Sequence, residues 1–203
     1  MVGLLPDRPQ RGKSGLHDLA RVASDFEALF AVYCKDIEQG RVTGEKKLQS
    51  WLIRDAYTHG RRLDSINKAS AKTNDPVELV FITDEISLPT DTGKIVCDIL
   101  ALRVDGGRST PVLLELKTDR MLGRLVEQVV DYAKLIEEHT ELFAELYGAL
   151  LGHDVTFDGS TEKWIVWPQA GADSDPREAE LREKGIRVVG YREDGAYGFR
   201  VGE

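Results

Sequence analysis

KIVCDILALRVDGGRSTPVLLELKTDR, residues 94–120, is the stretch whose reading decides the fold. Two runs rich in Val, Ile and Leu, 95–104 and 111–116, flank Asp105-Gly106-Gly107-Arg108, the turn chemistry of a tight β-hairpin. Each run carries one acid among apolar neighbours, Asp98 in the first and Glu115 in the second. Lys117 follows Glu115 by two residues and so lies on the same face of the strand. The turn sets the register. If Gly106 and Gly107 are its two central residues, partners across the hairpin have numbers that sum to 213, and Asp98 falls opposite Glu115. Leu102 then pairs with Pro111 at a non-hydrogen-bonded position, where the missing N–H does no harm to that ladder. By the same parity 98 and 115 form a non-hydrogen-bonded pair, with Cβ atoms roughly 4.5–5.5 Å apart. Two carboxylates so placed repel unless positive charge stands between them. A divalent cation held by carboxylate oxygens supplies that charge, and Lys117 points into the same space.

Asp98 followed by Glu115-Leu116-Lys117 on the partner strand resembles the signature of the PD-(D/E)xK nuclease superfamily, an acid on one strand and an acid-x-lysine on the next. Cys97 stands where the family name has proline. Downstream, VEQVVDYAKL holds Gln128 and Tyr132, similar to the Gln-x-x-x-Tyr element of the RecB-like branch. Upstream, GEKKLQSWLIRDAY resembles the family's first core helix with its glutamate, here Glu45. The resemblance implies an α/β fold, a restriction-endonuclease-like αβββαβ sandwich with a mixed central sheet flanked by helices. It also implies metal-dependent hydrolysis of phosphodiester bonds. Asp98, Glu115 and the carbonyl of Leu116 would hold Mg²⁺ or Mn²⁺, and Lys117 would stabilise the attacking hydroxide or the charge developing on phosphorus. Glu45, Gln128 and Tyr132 would complete the catalytic set. Nucleic acid is the implied partner, with DNA favoured over RNA, and the arginines expected to face it are Arg120, Arg124, Arg54 and Arg61.

Bulk properties bound these expectations. A chain of 203 residues can bury about 70% of its unfolded surface. Hydrophobic content of 41% and charged content of 31% are ordinary for a globular protein. No apolar run approaches a membrane span or a signal segment, so a cytoplasmic protein is expected. Cys34 and Cys97 lack C-x-x-C spacing, which leaves both as reduced core residues. His17, His59, His139 and His153 show neither H-x-x-x-H nor H-E-x-x-H spacing, so no histidine metal centre is expected. The net charge of −8 argues against nonspecific attraction to nucleic acid, yet in 41–72 Lys and Arg outnumber Asp and Glu. The acidity supports a second function, a nuclease-fold protein that binds nucleic acid or a protein partner without cutting. A third reading makes Asp98, Glu115 and Lys117 a structural ion cluster, although one lysine cannot balance two acids.

Taken in order, 1–40 reads as a loose tail and an amphipathic helix over 16–37, and 41–203 as the nuclease-like domain. That helix caps the core or mediates a homodimer. GKS at 12–14 is no phosphate loop, because Asp7 stands where the first glycine is needed. Thr43 caps a helix to about residue 59 with Leu48, Leu52 and Ala56 buried. Residues 60–76 read as a polar connection, and VELVFITDEISLP as a strand. Both faces of the hairpin strands are apolar: Ile95, Ile99 and Ala101 on one, Val96, Leu100 and Leu102 on the other. Helices must therefore cover both sides of the sheet. A helical stretch over 121–151 breaks near His139-Thr140 and carries Arg120, Arg124, Gln128 and Tyr132 as one stripe at i, i+4 spacing. A strand over 163–167, a short helix opened by Asp175-Pro176 and closed by Gly185, and a hairpin around Asp194-Gly195 complete the chain.

Overall fold

The computed structural model describes residues 43–90, 93–169, 175–194 and 196–202. The chain divides into two compact units, 1–46 and 47–203. The helix expected over 16–37, with Cys34 and His17, lies outside the described residues.

Six strands form one sheet in sequential order: β1 (Glu78–Thr90), β2 (Gly93–Asp105), β3 (Arg108–Leu116), β4 (Glu162–Pro168), β5 (Ile186–Glu193) and β6 (Tyr197–Val201). β1, β2 and β3 form an antiparallel meander, β3, β4 and β5 run parallel, and β6 returns antiparallel to β5. Parallel neighbours need long crossovers. α3 (Leu125–Glu138) and α4 (Thr140–Leu151) make the first, and α5 (Pro176–Glu183) makes the second. Before β1 come α1 (Gly44–Thr58) and α2 (Asp64–Ser70). The fold is α/β with a mixed sheet.

The alternation of strand side chains sorts the core into two layers. Leu48, Leu52 and Ala56 of α1 and Ile66 of α2 pack with Leu79, Phe81, Ile99, Ala101, Val112, Leu114, Trp164 and Val189. Leu125, Val129, Ala133 and Ile136 of α3, Phe143 and Tyr147 of α4 and Leu181 of α5 pack with Leu100, Leu102, Leu113, Ile165, Trp167 and Val188 on the other side. β4 is buried on both faces, which is why WIVW reads as an unbroken apolar run. Among the described residues no helix is long and apolar enough to cross a membrane.

Local signals account for the element ends. The Thr43 hydroxyl accepts from the Lys46 N–H at 3.3 Å, and the Asp175 carboxylate accepts from the Arg177 N–H at 2.9 Å with Pro176 as the first helical residue. Gly185 takes the left-handed conformation, φ 66°, after α5. The long helical stretch does break at His139, but it starts at Leu125 rather than 121. Asp119 accepts from the Met121 N–H in a turn, and Gly123 has φ 35°, so Arg120 lies ahead of α3 and Arg124 stands just before its first residue, with no side-chain cap bond. The four-residue stripe expected there is reduced to Gln128 and Tyr132.

α2 corrects the polar connection expected at 60–76. Its seven residues are too few to show a period, and two of its buried side chains are polar, Asn67 and Ser70. Asn67 acts as a piece of strand: its amide nitrogen donates to the Leu79 carbonyl at 3.1 Å, and its oxygen accepts from the Leu79 N–H at 2.8 Å.

The central hairpin has the register read from its turn. Pairs whose numbers sum to 213 run from Asp105↔Arg108 through Leu102↔Pro111 to Ile99↔Leu114. There the ladder ends, one residue short of Asp98 and Glu115. The faces also change at this point. Ile95 and Cys97 pack in the layer of Leu100 and Leu102, not with Ile99 and Ala101 as strict alternation requires. On the other side of β2, the β1 register passes from Asp84↔Ile99 to Ile86↔Cys97 without a Glu85↔Asp98 pair, and Glu85 has φ 50°. β2 therefore slips phase at Asp98 between two interrupted ladders.

Candidate functional site

An interrupted ladder leaves backbone groups that must find other partners. Around Asp98 those partners are side chains. The Leu116 N–H donates to Asp98 Oδ2 at 2.8 Å. The Asp98 carbonyl accepts from Gln49 Nε2 at 3.0 Å, and the Val96 carbonyl accepts from Gln128 Nε2 at 2.9 Å. Gln49 comes from α1 and Gln128 from α3, so one amide from each helix layer meets β2 where its pairing lapses.

Glu115 is the buried acid of the group, 3% exposed. Its Oε1 accepts from Lys117 Nζ at 2.9 Å and from Gln128 Nε2 at 3.0 Å. Lys117 is held at its backbone, where its N–H donates to the Val166 carbonyl at 2.8 Å and its carbonyl accepts from the Tyr191 hydroxyl at 3.3 Å. Its side chain is 22% exposed, against 4% for the carboxylate that holds it. Asp98, Glu115, Leu116, Lys117 and Gln128 are thereby brought into one hydrogen-bonded group. Both acids and the Leu116 carbonyl offer hard oxygen donors, the kind that suits Mg²⁺ or Mn²⁺.

Two neighbours bound this group. Cys97 is 1% exposed, and burial, with Glu115 and Asp98 adding negative charge nearby, pushes its thiol well above the usual range. In a Cys34→Ser background, Cys97 is therefore expected to resist a disulfide reagent at pH 8 until the protein unfolds, as a colorimetric thiol assay with and without denaturant reads out. Tyr132, 1% exposed, donates to the Ile86 carbonyl of β1 at 3.3 Å. Burial raises its phenol far above the ordinary value, so it tethers α3 to β1 as a neutral group.

Two of the four arginines are taken up by the protein itself. Arg120 acts inside the fold: its guanidinium donates to Asp175, to Glu178 at 2.7 Å and to the Pro168 carbonyl at 2.7 Å, and lies 4.3 Å from the centre of the Trp167 ring. Arg61, with φ 70°, donates to the Phe81 and Ile82 carbonyls at the β1 irregularity. Arg124 and Arg54 are exposed. Glu45 sits in the first turn of α1, in the unit of residues 1–46.

Sequence reasoning missed Gln49 and Asp84. Asp84 Oδ2 lies 3.5 Å from the same Gln49 amide that reaches the Asp98 carbonyl. The signal for Asp84 was the acid pair Asp84-Glu85 inside an apolar strand; for Gln49 it was an amide among the buried positions of α1.

A second group of candidate ligands joins α1 to α2, where Asp55, His59 and Asp64 present ligand atoms within 4.8 Å of one another. Each acid already has protein partners. Asp55 accepts from the Ser65 N–H at 3.0 Å and the Ser65 hydroxyl at 3.2 Å, and Asp64 pairs with Lys68 at 2.6 Å. Comparison with family models, curated proteins and solved structures finds no match for this chain.

Proposed function

We propose that this chain is a divalent-metal-dependent nuclease of the PD-(D/E)xK kind, built on a restriction-endonuclease-like fold and acting on nucleic acid, with DNA favoured over RNA. The observation that carries this reading is the lapse of the strand ladder at Asp98, where two acids, a lysine and a glutamine gather around Leu116. The element order, helices, three antiparallel strands, helices and a parallel strand, agrees with that fold.

Asp98, Glu115 and the Leu116 carbonyl would hold the ion, which when bound polarises a phosphate oxygen and lowers the pKa of bound water. The chain's own contributions are positional and electrostatic. Leu116 N–H fixes the Asp98 carboxylate, and Gln128 orients Glu115 while tying it to β2. Glu115 in turn holds the Lys117 ammonium, where positive charge stabilises negative charge developing at phosphorus.

The Lys117–Glu115 ion pair also favours a second reading, a metal-free structural cluster in a protein that binds without cutting. A cleavage assay on labelled single- and double-stranded DNA and RNA, with Mg²⁺, Mn²⁺ or EDTA, separates the two. Metal-dependent cutting supports the nuclease. No cutting of any substrate with either metal supports the silent protein.

A further inference from the structure

The chain is acidic overall, yet the exposed charged residues of α1, Lys46, Lys47 and Arg54, are all basic. Among the described residues neither Lys47 nor Arg54 has an ion-pair partner. Lys47, Trp51, Arg54 and Tyr57 stand at i, i+4, i+7 and i+10, along one side of the helix over about 15 Å. Leu48, Gln49, Leu52, Asp55 and Ala56 take the opposite side into the core. The aromatic members are not ordinary surface residues. Tyr57 is 63% exposed, with its ring 5.9 Å from Phe81 and the Arg61 guanidinium 5.9 Å from its centre. Since Arg61 is itself held by the Phe81 and Ile82 carbonyls, it fixes the tyrosine and leaves phosphate contacts to Lys47 and Arg54. Trp51 is half-buried against Tyr197 and Phe199, at 5.4 and 5.5 Å between ring centres.

Flat aromatic faces interleaved with exposed basic charges suit a polymer that offers alternating bases and phosphates. A duplex keeps its bases stacked on one another, whereas an unpaired strand can lay them on protein rings. The same helix sends Gln49 to the Asp98 carbonyl, so this face belongs to the element that contacts the proposed catalytic group. We infer that the outer face of α1 is a track for single-stranded nucleic acid, with Tyr57 stacking a base and Lys47 and Arg54 meeting phosphates. The inference rests on the nuclease reading for its purpose, and it specifies an unpaired substrate.

The test is fluorescence anisotropy of the full chain with a labelled single-stranded DNA, the matching RNA and the DNA duplex, in EDTA to prevent cutting. Tyr57→Ala is expected to weaken binding of the single strand about 5- to 150-fold, and Tyr57→Phe to retain it. Arg54→Ala is expected to reduce the salt slope of single-strand binding by about 0.7. Wild-type binding no tighter to the single strand than to the duplex overturns the track, as does unchanged binding by Tyr57→Ala. If binding depends on Tyr57 but no substrate is cut with Mg²⁺ or Mn²⁺, the track stands and the nuclease reading falls. Cutting that is indifferent to Tyr57 gives the reverse.

Discussion

Replacing Lys117 with alanine is expected to lower metal-dependent cleavage on the order of 10²–10³-fold in kcat/KM, the usual cost of removing one group aimed at developing charge. Lys117 is well placed for so large an effect because little about it is free to relax. Its backbone is bonded on both sides, to Val166 and Tyr191, and its ammonium is held 2.9 Å from Glu115. The same substitution takes away the ammonium bonded to Glu115, a carboxylate that is itself buried. Removing one partner of a buried pair costs about 3–5 kcal/mol. Lys117→Ala is therefore also expected to melt at a lower temperature, and Mg²⁺ should restore part of that loss by supplying positive charge beside Glu115. Steady-state cleavage and thermal melts with and without Mg²⁺ read both effects. A fully active Lys117→Ala protein would remove the lysine from the chemistry.

Arg120→Ala is expected to cost about 3–5 kcal/mol of stability, since it breaks a largely buried pair at one end only. The Arg120 side chain is 11% exposed and Asp175 7%, and the substitution also removes the Glu178 pair, the bond to the Pro168 carbonyl and the contact with Trp167. In a domain of this size each kcal/mol shifts the melting temperature by about 2–4 °C. The pH dependence identifies the partner. Arg177, with Arg120 beside it, holds the Asp175 carboxyl well below the usual carboxylate range. A folded value below the unfolded one means stabilisation that is complete above about pH 4 and is lost as pH falls through the folded value. The stability gap between wild type and Arg120→Ala should accordingly be full at neutral pH and narrow in strong acid. Denaturant melts at several pH values measure that gap; a gap independent of pH would assign the loss to Trp167 packing.

Legibility in the sequence followed the range of the forces involved. The hairpin register could be read because a two-residue turn and alternation determine it locally, and Leu102↔Pro111 is observed as expected. The end of the ladder could not, because it depends on irregularities in two neighbouring strands: the Glu85 conformation and the phase slip that moves Ile95 to the other layer. Gln49 and Asp84 were hidden for the same reason, since the carbonyl Gln49 bonds is available only where pairing lapses. α2 lacked enough residues for a period. Gly123 and the Asp119 turn detached Arg120 from a stripe that spacing alone would have continued. The group at Asp55, His59 and Asp64 escaped notice because Asp64 joins it from the next helix.

Those two groups of oxygen and nitrogen ligands are told apart by calorimetric titration of Mn²⁺ into the wild type, Asp98→Asn and Asp64→Asn. Asparagine can still accept the Leu116 N–H, so the first substitution removes charge while keeping the local bond. The metal-centre account predicts a binding event in the wild type that Asp98→Asn abolishes and Asp64→Asn leaves intact. Binding that survives Asp98→Asn but is lost in Asp64→Asn, or no binding to the wild type, would contradict it.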